Sequence, residues 1–195
     1  INAVGPNFRV LPNSNQQDEI VLVSQTANPN FMFGSANTTV GSAFGQGCYV
    51  TTNGGLNWYG TDLMPNEPAS TSDPAPTIDK NGIIVFTSLN IVGTAFMYGQ
   101  YSTNYGVNWS MPYTITSVSS DKNFTGTDDY PTSAYYGRSY TVWSNMAAGS
   151  PPIVISYTTN SGVSWGPVSQ INTPPSGHYS QVADIITGPG GIVYV

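Results

Sequence analysis

Five carboxylates stand beside short extended runs: Asp18 and Glu19, then Asp73, then Asp128 and Asp129, while the corresponding place in a fourth unit holds His178 and Tyr179. Brought to one mouth, such groups repel one another. A cluster of that kind holds a hard cation, divides into an acid and a base, or meets the hydroxyls of a polyhydroxylated ligand. Asp73 and Asp129 are then the candidate acids, and Asp18, Glu19, Asp128, Tyr130, His178 and Tyr179 the candidate ligand contacts. Ca2+ is the one cofactor such a ring suggests, and no metal site is assigned. A second reading stays open, because Asp ahead of Pro or Tyr also starts the turn into a strand by bonding its own backbone. His178 reads as a base or as a hydrogen-bonded loop residue. The tyrosines Tyr59, Tyr98, Tyr101, Tyr130, Tyr135, Tyr136 and Tyr179 offer faces to sugar rings, or pair across strands. The sequence holds no Gly-x-Ser-x-Gly elbow, related Cys and His pair, metal-spaced His cluster or phosphate loop.

The elements that must position these groups are written in a repeat. Thr51-Thr52-Asn53-Gly54-Gly55-Leu56-Asn57-Trp58 returns as Ser102-Thr103-Asn104-Tyr105-Gly106-Val107-Asn108-Trp109 and as Thr158-Thr159-Asn160-Ser161-Gly162-Val163-Ser164-Trp165. The tryptophans lie 51 and 56 residues apart, a period that marks one supersecondary unit used several times. Each motif reads as a hairpin. Asn53, Asn104 and Asn160 brace the turn through their side chains, Gly55, Gly106 and Gly162 supply positive φ, and Trp58, Trp109 and Trp165 drop into an apolar layer as core anchors. In phase with the motifs run paired extended segments: Glu19 to Val23 with Phe31 to Phe33, Asp73 to Phe86 and Asp129 to Trp143, each an extended run, a turn and another extended run, and Gln181 to Ile186 with Ile192 to Val195. Pro or Gly interrupts nearly every window long enough for a helix, so the whole chain is expected to be short strands.

These repeats predict an all-β fold, a β-propeller of four-stranded antiparallel blades with about three and a half blades in this chain. An extended segment covers 1–16, blades cover 17–66, 67–120 and 121–175, and 176–195 begins a fourth, all within one propeller domain. Linkers fall near Pro65 to Ser70, Ser119 to Asn123 and Pro174 to Gly177. Propeller ligands usually meet the loops at the mouth of the central channel, which is where the acids above are expected.

The eight-residue motif closely resembles the Asp-box, or bacterial neuraminidase repeat, of sialidases and other secreted β-propellers, with Asn in place of Asp in every copy. Phe8-Arg9-Val10-Leu11-Pro12 also looks like the opening of such proteins, and the resemblance covers about residues 8 to 195. It implies that the motif is structural and lies on the outer rim. A working sialidase of this family would need three arginines on the substrate carboxylate, a Tyr and Glu pair and an Asp acid/base. Only Arg9 and Arg138 are present, so the arginine triad cannot be complete in this chain, and Lys80 and Lys122 lack the bidentate fork. Arg9 reads as a remnant clamp for an anionic sugar or as an ordinary strand-edge arginine.

Of 195 residues only 7% are charged, with four Lys+Arg against ten Asp+Glu and a net charge of -6. Nucleic acid, which asks for a basic stripe, is excluded as a partner, and no apolar run is long enough to span a membrane. Twenty-one Gly, fifteen Pro and 12% aromatics fit a secreted or cell-surface β protein. Cys48 is alone and is expected as a small buried hydrophobe. Sequons stand at Asn37, Asn108 and Asn123. Three complete blades and two strands do not close a ring of four to eight. The sequence is therefore expected to be part of a longer protein, or to be completed by another copy. The functions in view are a non-catalytic glycan- or protein-binding module, an exo-glycosidase of sialidase type with further site residues elsewhere, and a structural subunit assembling through open β edges into a filament or surface layer.

Overall fold

A computed structural model describes residues 8–195. The first sheet contains β1 (Gln16–Gln25), β2 (Asn28–Val40), β3 (Ala43–Gln46), β4 (Cys48–Thr51) and β5 (Tyr59–Thr61). The second holds β6 (Thr71–Ile78), β7 (Ile84–Asn90), β8 (Phe96–Ser102) and β9 (Tyr113–Thr116), and the third β10 (Ser120–Thr127), β11 (Ser139–Asn145), β12 (Ile153–Thr158) and β13 (Ser169–Gln170). A last pair joins β14 (Ile186–Gly188) to β15 (Ile192–Tyr194). The second and third sheets are antiparallel meanders in chain order, and the first follows the same path with β3 as an extra strand on β2. The chain is thus all-β. The first strands β1, β6, β10 and β14 lie side by side in succession, so the sheets fan outward from a shared line without closing a ring.

Two kinds of packing join the sheets. Between the first and second the layer is apolar: Phe31, Phe33, Cys48 and Val50 meet Ile78, Ile84, Phe86 and Trp109. Trp109 lies 5.6 Å from Phe33 and 5.8 Å from Phe86, contacts that add about 0.5–1.5 kcal/mol each beyond burial. Cys48 is buried as expected, and loss of solvent pushes its thiol up to about 12. Between the second and third sheets Leu89, Met97, Trp143 and Val154 form a smaller apolar cluster beside a hydroxyl seam. In that seam Thr87 meets Thr125 at 2.8 Å, Asn123 donates to Thr87 at 2.9 Å, and Thr127 pairs with Ser139 at 2.7 Å.

The seam explains one correction. The first strand of the third sheet is Ser120–Thr127, not the run from Asp129, and the supposed linker from Ser119 to Asn123 lies largely inside it. Its buried residues Asn123 and Thr127 bond Thr87 and Thr77 of the second sheet rather than showing an apolar alternation. Residues 131 to 137 are turns and a bend, and 129 and 130 have no regular structure. The fourth unit differs likewise, since its first strand begins at Ile186 rather than Gln181.

The tryptophan hairpins are built alike. The hydroxyls of Thr51, Ser102 and Thr158 accept from the N–H of Gly55, Gly106 and Gly162 at 3.0, 2.9 and 3.0 Å. The Oδ1 atoms of Asn53, Asn104 and Asn160 accept from the N–H of Asn57, Asn108 and Ser164 at 3.0, 2.9 and 3.0 Å. Both the fourth and fifth positions are left-handed, including Tyr105 and Ser161 at φ 58° and 57°. Trp109 and Trp165 are buried, as core anchors should be. Trp58 is only half-buried, a correction: among the described residues no sheet packs on its hairpin as the first sheet packs on that of Trp109.

The stretch from Asn13 to Gln17 is tied down by one carboxylate. Asp62 accepts from Asn13 (2.5 Å), Asn15 (2.7 Å), Gln17 (2.8 Å) and Tyr49 (2.7 Å). Burial opposes the charge, and these four donors outweigh it, holding the carboxyl below its usual range.

Candidate functional site

Each full sheet breaks its ladder at the same place. The register of β1 on β2 shifts between Asp18 and Val21, that of β6 on β7 between Ser72 and Ala75, and that of β10 on β11 between Asp121 and Phe124. The extra residue in each is a β-bulge, which re-aims a side chain. At these bulges Glu19, Asp73 and Lys122 take φ of 50°, 55° and 50°, and Val182 repeats the conformation at 62° ahead of β14. None is glycine, so each left-handed residue costs about 1–2 kcal/mol, and such strain gathers where a side chain must point one way.

All four line one cleft of about 320 Å³, together with Ile20, Val21, Pro74, Asn123 and Phe124. Inside it the Lys122 ammonium lies 3.0 Å from Glu19 Oε1 and 3.4 Å from Asp73 Oδ1, while the Lys122 N–H donates to Asp73 Oδ2 at 3.3 Å. Behind them stands Asn37, buried, whose Nδ2 donates to Glu19 at 2.9 Å and whose Oδ1 accepts from the Asp73 N–H at 3.0 Å. Gln46 in turn donates to Asn37 at 3.0 Å.

Environment splits the two carboxyls. The bond from Lys122 holds Glu19 low, and burial raises Asp73 despite the same ammonium. Burial works against the charge on Lys122, but its bonds to Glu19 and Asp73 outweigh it and raise the amine. The cluster therefore offers two carboxyls displaced in opposite directions and a cationic donor within a cleft walled by hydrocarbon. A hard cation between Glu19 and Asp73 would have to displace the ammonium that occupies that place, and no group of three or more His, Cys, Asp or Glu among the described residues could hold a metal ion.

The structure brings together only part of the expected ring. Glu19 and Asp73 meet; Asp18 is on the same strand but lies outside the cleft lining, its carboxylate accepting from Gln16 at 2.9 Å. Asp128 and Asp129 follow β10 and so sit at the opposite end of the first strands. There Asp128 accepts from the Tyr130 N–H at 3.1 Å and from Ser133 Oγ at 2.5 Å, a turn-bracing role that Asp79 plays after β6 by accepting from the N–H groups of Asn81 and Ile83 at 2.9 Å each. Asp129 pairs with Thr26 at 2.5 Å, and burial raises its carboxyl. Tyr130 shares that end. His178 and Tyr179 are exposed on the loop leading to Val182 and do not line the cleft.

Neither arginine reaches the cleft lining. Arg9 bonds Asn13 O at 2.6 Å, and Arg138 lies between the rings of Tyr135 and Tyr157 at 4.5 and 4.6 Å. Of the tyrosines expected at the surface, Tyr98 is wholly buried, whereas Tyr59, Tyr130, Tyr135 and Tyr179 are exposed. Of the three sequons, Asn37 and Asn123 are buried and bonded, and Asn108 is exposed.

Lys122, Asn37, Gln46 and Val182 were not singled out as ligand contacts by sequence reasoning. A usable signal existed for Lys122: Glu19 and Asp73 precede their tryptophans, Trp58 and Trp109, by 39 and 36 residues, and Lys122 precedes Trp165 by 43.

No family model matches the chain, and no curated protein matches its sequence. Solved structures do. A leech intramolecular trans-sialidase, complexed with 2,7-anhydro-Neu5Ac, is similar over 99% of this chain and 49% of its own at 12% identity, with a TM-score of 0.72. A protein of unknown function from Dyadobacter fermentans is similar over 92% of this chain and 61% of its own at 13% identity and a TM-score of 0.64. An endo-arabinase from Bacteroides thetaiotaomicron is similar over 84% and 64% at 16% identity and a TM-score of 0.53. This chain thus spans between half and two thirds of their lengths, and at these identities the likeness shows the fold: an all-β arrangement shared with sialidases and glycoside hydrolases.

Proposed function

We propose that the chain is a glycan-binding module on a sialidase-like β-propeller, working outside the cell or at its surface without catalysis, and that a sugar enters the cleft of Glu19, Asp73 and Lys122. One observation carries this reading: four non-glycine residues are held left-handed at equivalent positions, and their side chains line a single cleft. Its chemistry suits a sugar. Carboxylates and an ammonium can exchange bonds with ring hydroxyls, while Pro74, Phe124 and Val182 face the C–H surface. The fold shared with glycan-acting enzymes and the charge-poor surface support the setting. The absence of both arginines from the cleft favours binding over sialidase chemistry.

Glycan-array binding by residues 1–195, lost in Lys122→Met and Asp73→Asn and unaccompanied by hydrolysis, is the expected result. Binding indifferent to both substitutions would sink the assignment of the cleft. A second reading rests on the opposite displacement of the Glu19 and Asp73 carboxyls, the arrangement by which an acid and a base are told apart. It makes the protein an exo-glycosidase in which Asp73 is the acid. Release of sialic acid from a fluorogenic substrate, abolished by Asp73→Asn, would establish it in place of the first.

A further inference from the structure

The hydrogen bonds already made inside the cleft leave it rich in open acceptors and poor in donors. An ammonium carries three N–H groups, and Lys122 gives two of them to Glu19 Oε1 at 3.0 Å and Asp73 Oδ1 at 3.4 Å. An ionised carboxylate has roughly four acceptor sites. Each oxygen of Glu19 takes a single bond, from Lys122 and from the Asn37 amide, and each oxygen of Asp73 likewise, from the ammonium and from the Lys122 N–H. Asn123 adds a further acceptor. It lines the same cleft, is 3% exposed and gives its Nδ2 to Thr87, while its Oδ1 is buried without a partner. Such an open acceptor is a standing cost that a donor on a ligand would remove.

Charge points the same way. Lys122 is the one cation among the lining residues, against Glu19 and Asp73, and Asp121, beside it on β10, adds to the negative field at Asp73. Lys80 follows β6 at the opposite end of the first strands, its ammonium 4.7 Å from the centre of the Tyr136 ring. A carboxylate or sulfate entering the cleft has no hydrogen to give. It would compete with two resident carboxylates for the N–H left on Lys122 and be repelled by both. A sugar hydroxyl donates and accepts at once, so it can meet the open acceptors and the remaining N–H together.

We propose that the cleft selects sugars without an acidic group: ring hydroxyls donate to Glu19, Asp73 and Asn123, and the two carboxyls, by holding the Lys122 ammonium, turn sialic acid, uronic acids and sulfated sugars away. This rests on the reading of the cleft as a sugar site. Glu19 and Asp73 are then specificity-determining residues, whose repulsion of the wrong ligand matters as much as their bonds to the right one. The resemblance to sialidases implies the reverse preference.

A glycan array carrying neutral, sialylated, uronate-containing and sulfated glycans tests it, followed by titration calorimetry with the best neutral glycan and its sialylated counterpart. The neutral glycan should bind at least about tenfold more tightly than the sialylated one, with an affinity nearly independent of salt. In Glu19→Gln/Asp73→Asn the ammonium is released by both carboxylates, and the sialylated glycan should gain at least about tenfold. Glu19→Gln alone, at an exposed side chain, should move the same way by less and stands in if the double variant does not fold. Acidic glycans bound by the unaltered chain as tightly as neutral ones, and lost in Lys122→Met, overturn the inference and leave the sugar site standing. A folded double variant that still rejects acidic glycans overturns the role given to the two carboxyls. An array that retains no glycan of any kind removes the sugar site and this inference together.

Discussion

The two ends of the first strands use the same residue type for opposite purposes. At the trailing end Asp79 and Asp128 are saturated by backbone N–H groups and hydroxyls, so their charge is consumed in bracing a turn. At the leading end Glu19 and Asp73 share one ammonium and face a cleft. The difference teaches that a carboxylate's role here depends on which side of a strand it flanks. Asp79 and Asp128 are met by the N–H groups of their own turns and by hydroxyls, whereas Glu19 and Asp73 are met chiefly by the Lys122 ammonium, with the Lys122 N–H on Asp73 and the Asn37 amide on Glu19.

The comparison breaks most visibly by removing a brace. Asp79→Ala strands the N–H groups of Asn81 and Ile83 and releases Ser161 of the third sheet's hairpin, which should cost about 2–3 kcal/mol in urea denaturation while leaving cleft binding unchanged. Equal losses of stability and of cleft binding would erase the distinction.

A fifth carboxyl, at neither end, sharpens it. Glu67 accepts from the Gln46 N–H at 3.0 Å and bonds Thr71 at 2.6 Å with no cation beside it, and burial pushes it up to about 7. Its value in the unfolded chain is close to 4.5, so the stability it contributes is full below that pH and is lost as pH rises through about 7. Glu67→Gln should therefore stabilise by about 1–3 kcal/mol at pH 8 and leave pH 4 stability nearly unchanged, read from thermal melts at both. A gain that is the same at both pH values would contradict the protonated state assigned to Glu67.

The smallest effect on folding is expected at the cleft itself. Lys122→Met should change stability by under about 1 kcal/mol, because the ammonium and Glu19 are partly exposed, yet raise the Glu19 and Asp73 titrations seen by carboxyl NMR. Loss of the ammonium removes what holds Glu19 low. Unmoved titrations would show that the three groups do not act together.

Much of the scaffold was legible because its signals are local. The three hairpins announce themselves through Asn, Gly and Trp at fixed offsets, and the strands of the second sheet through Ile83 to Phe86 and their turn at Asp79 to Gly82. The third sheet was misplaced by one strand because β10 buries hydroxyls and an amide where a pattern search expects methyl groups. That slip put Asp129 where Lys122 belongs and placed two of the five expected acids, Asp128 and Asp129, at the wrong end. Trp58 misled for a different reason. A motif reports how a turn folds, and burial of its tryptophan depends on a neighbour that the motif does not encode.

The bulges carry a further consequence. Since the hydrogen-bond ladder on either side, rather than side-chain identity, dictates backbone direction at 19, 73 and 122, and 182 repeats the same left-handed conformation, these positions behave as interchangeable sockets. Glutamate, aspartate, lysine and valine already occupy four equivalent ones in a single molecule. A lineage or an engineer could rewrite ligand preference there one residue at a time, with the frame indifferent to the choice and glycine, free of the left-handed penalty, always available as a blank.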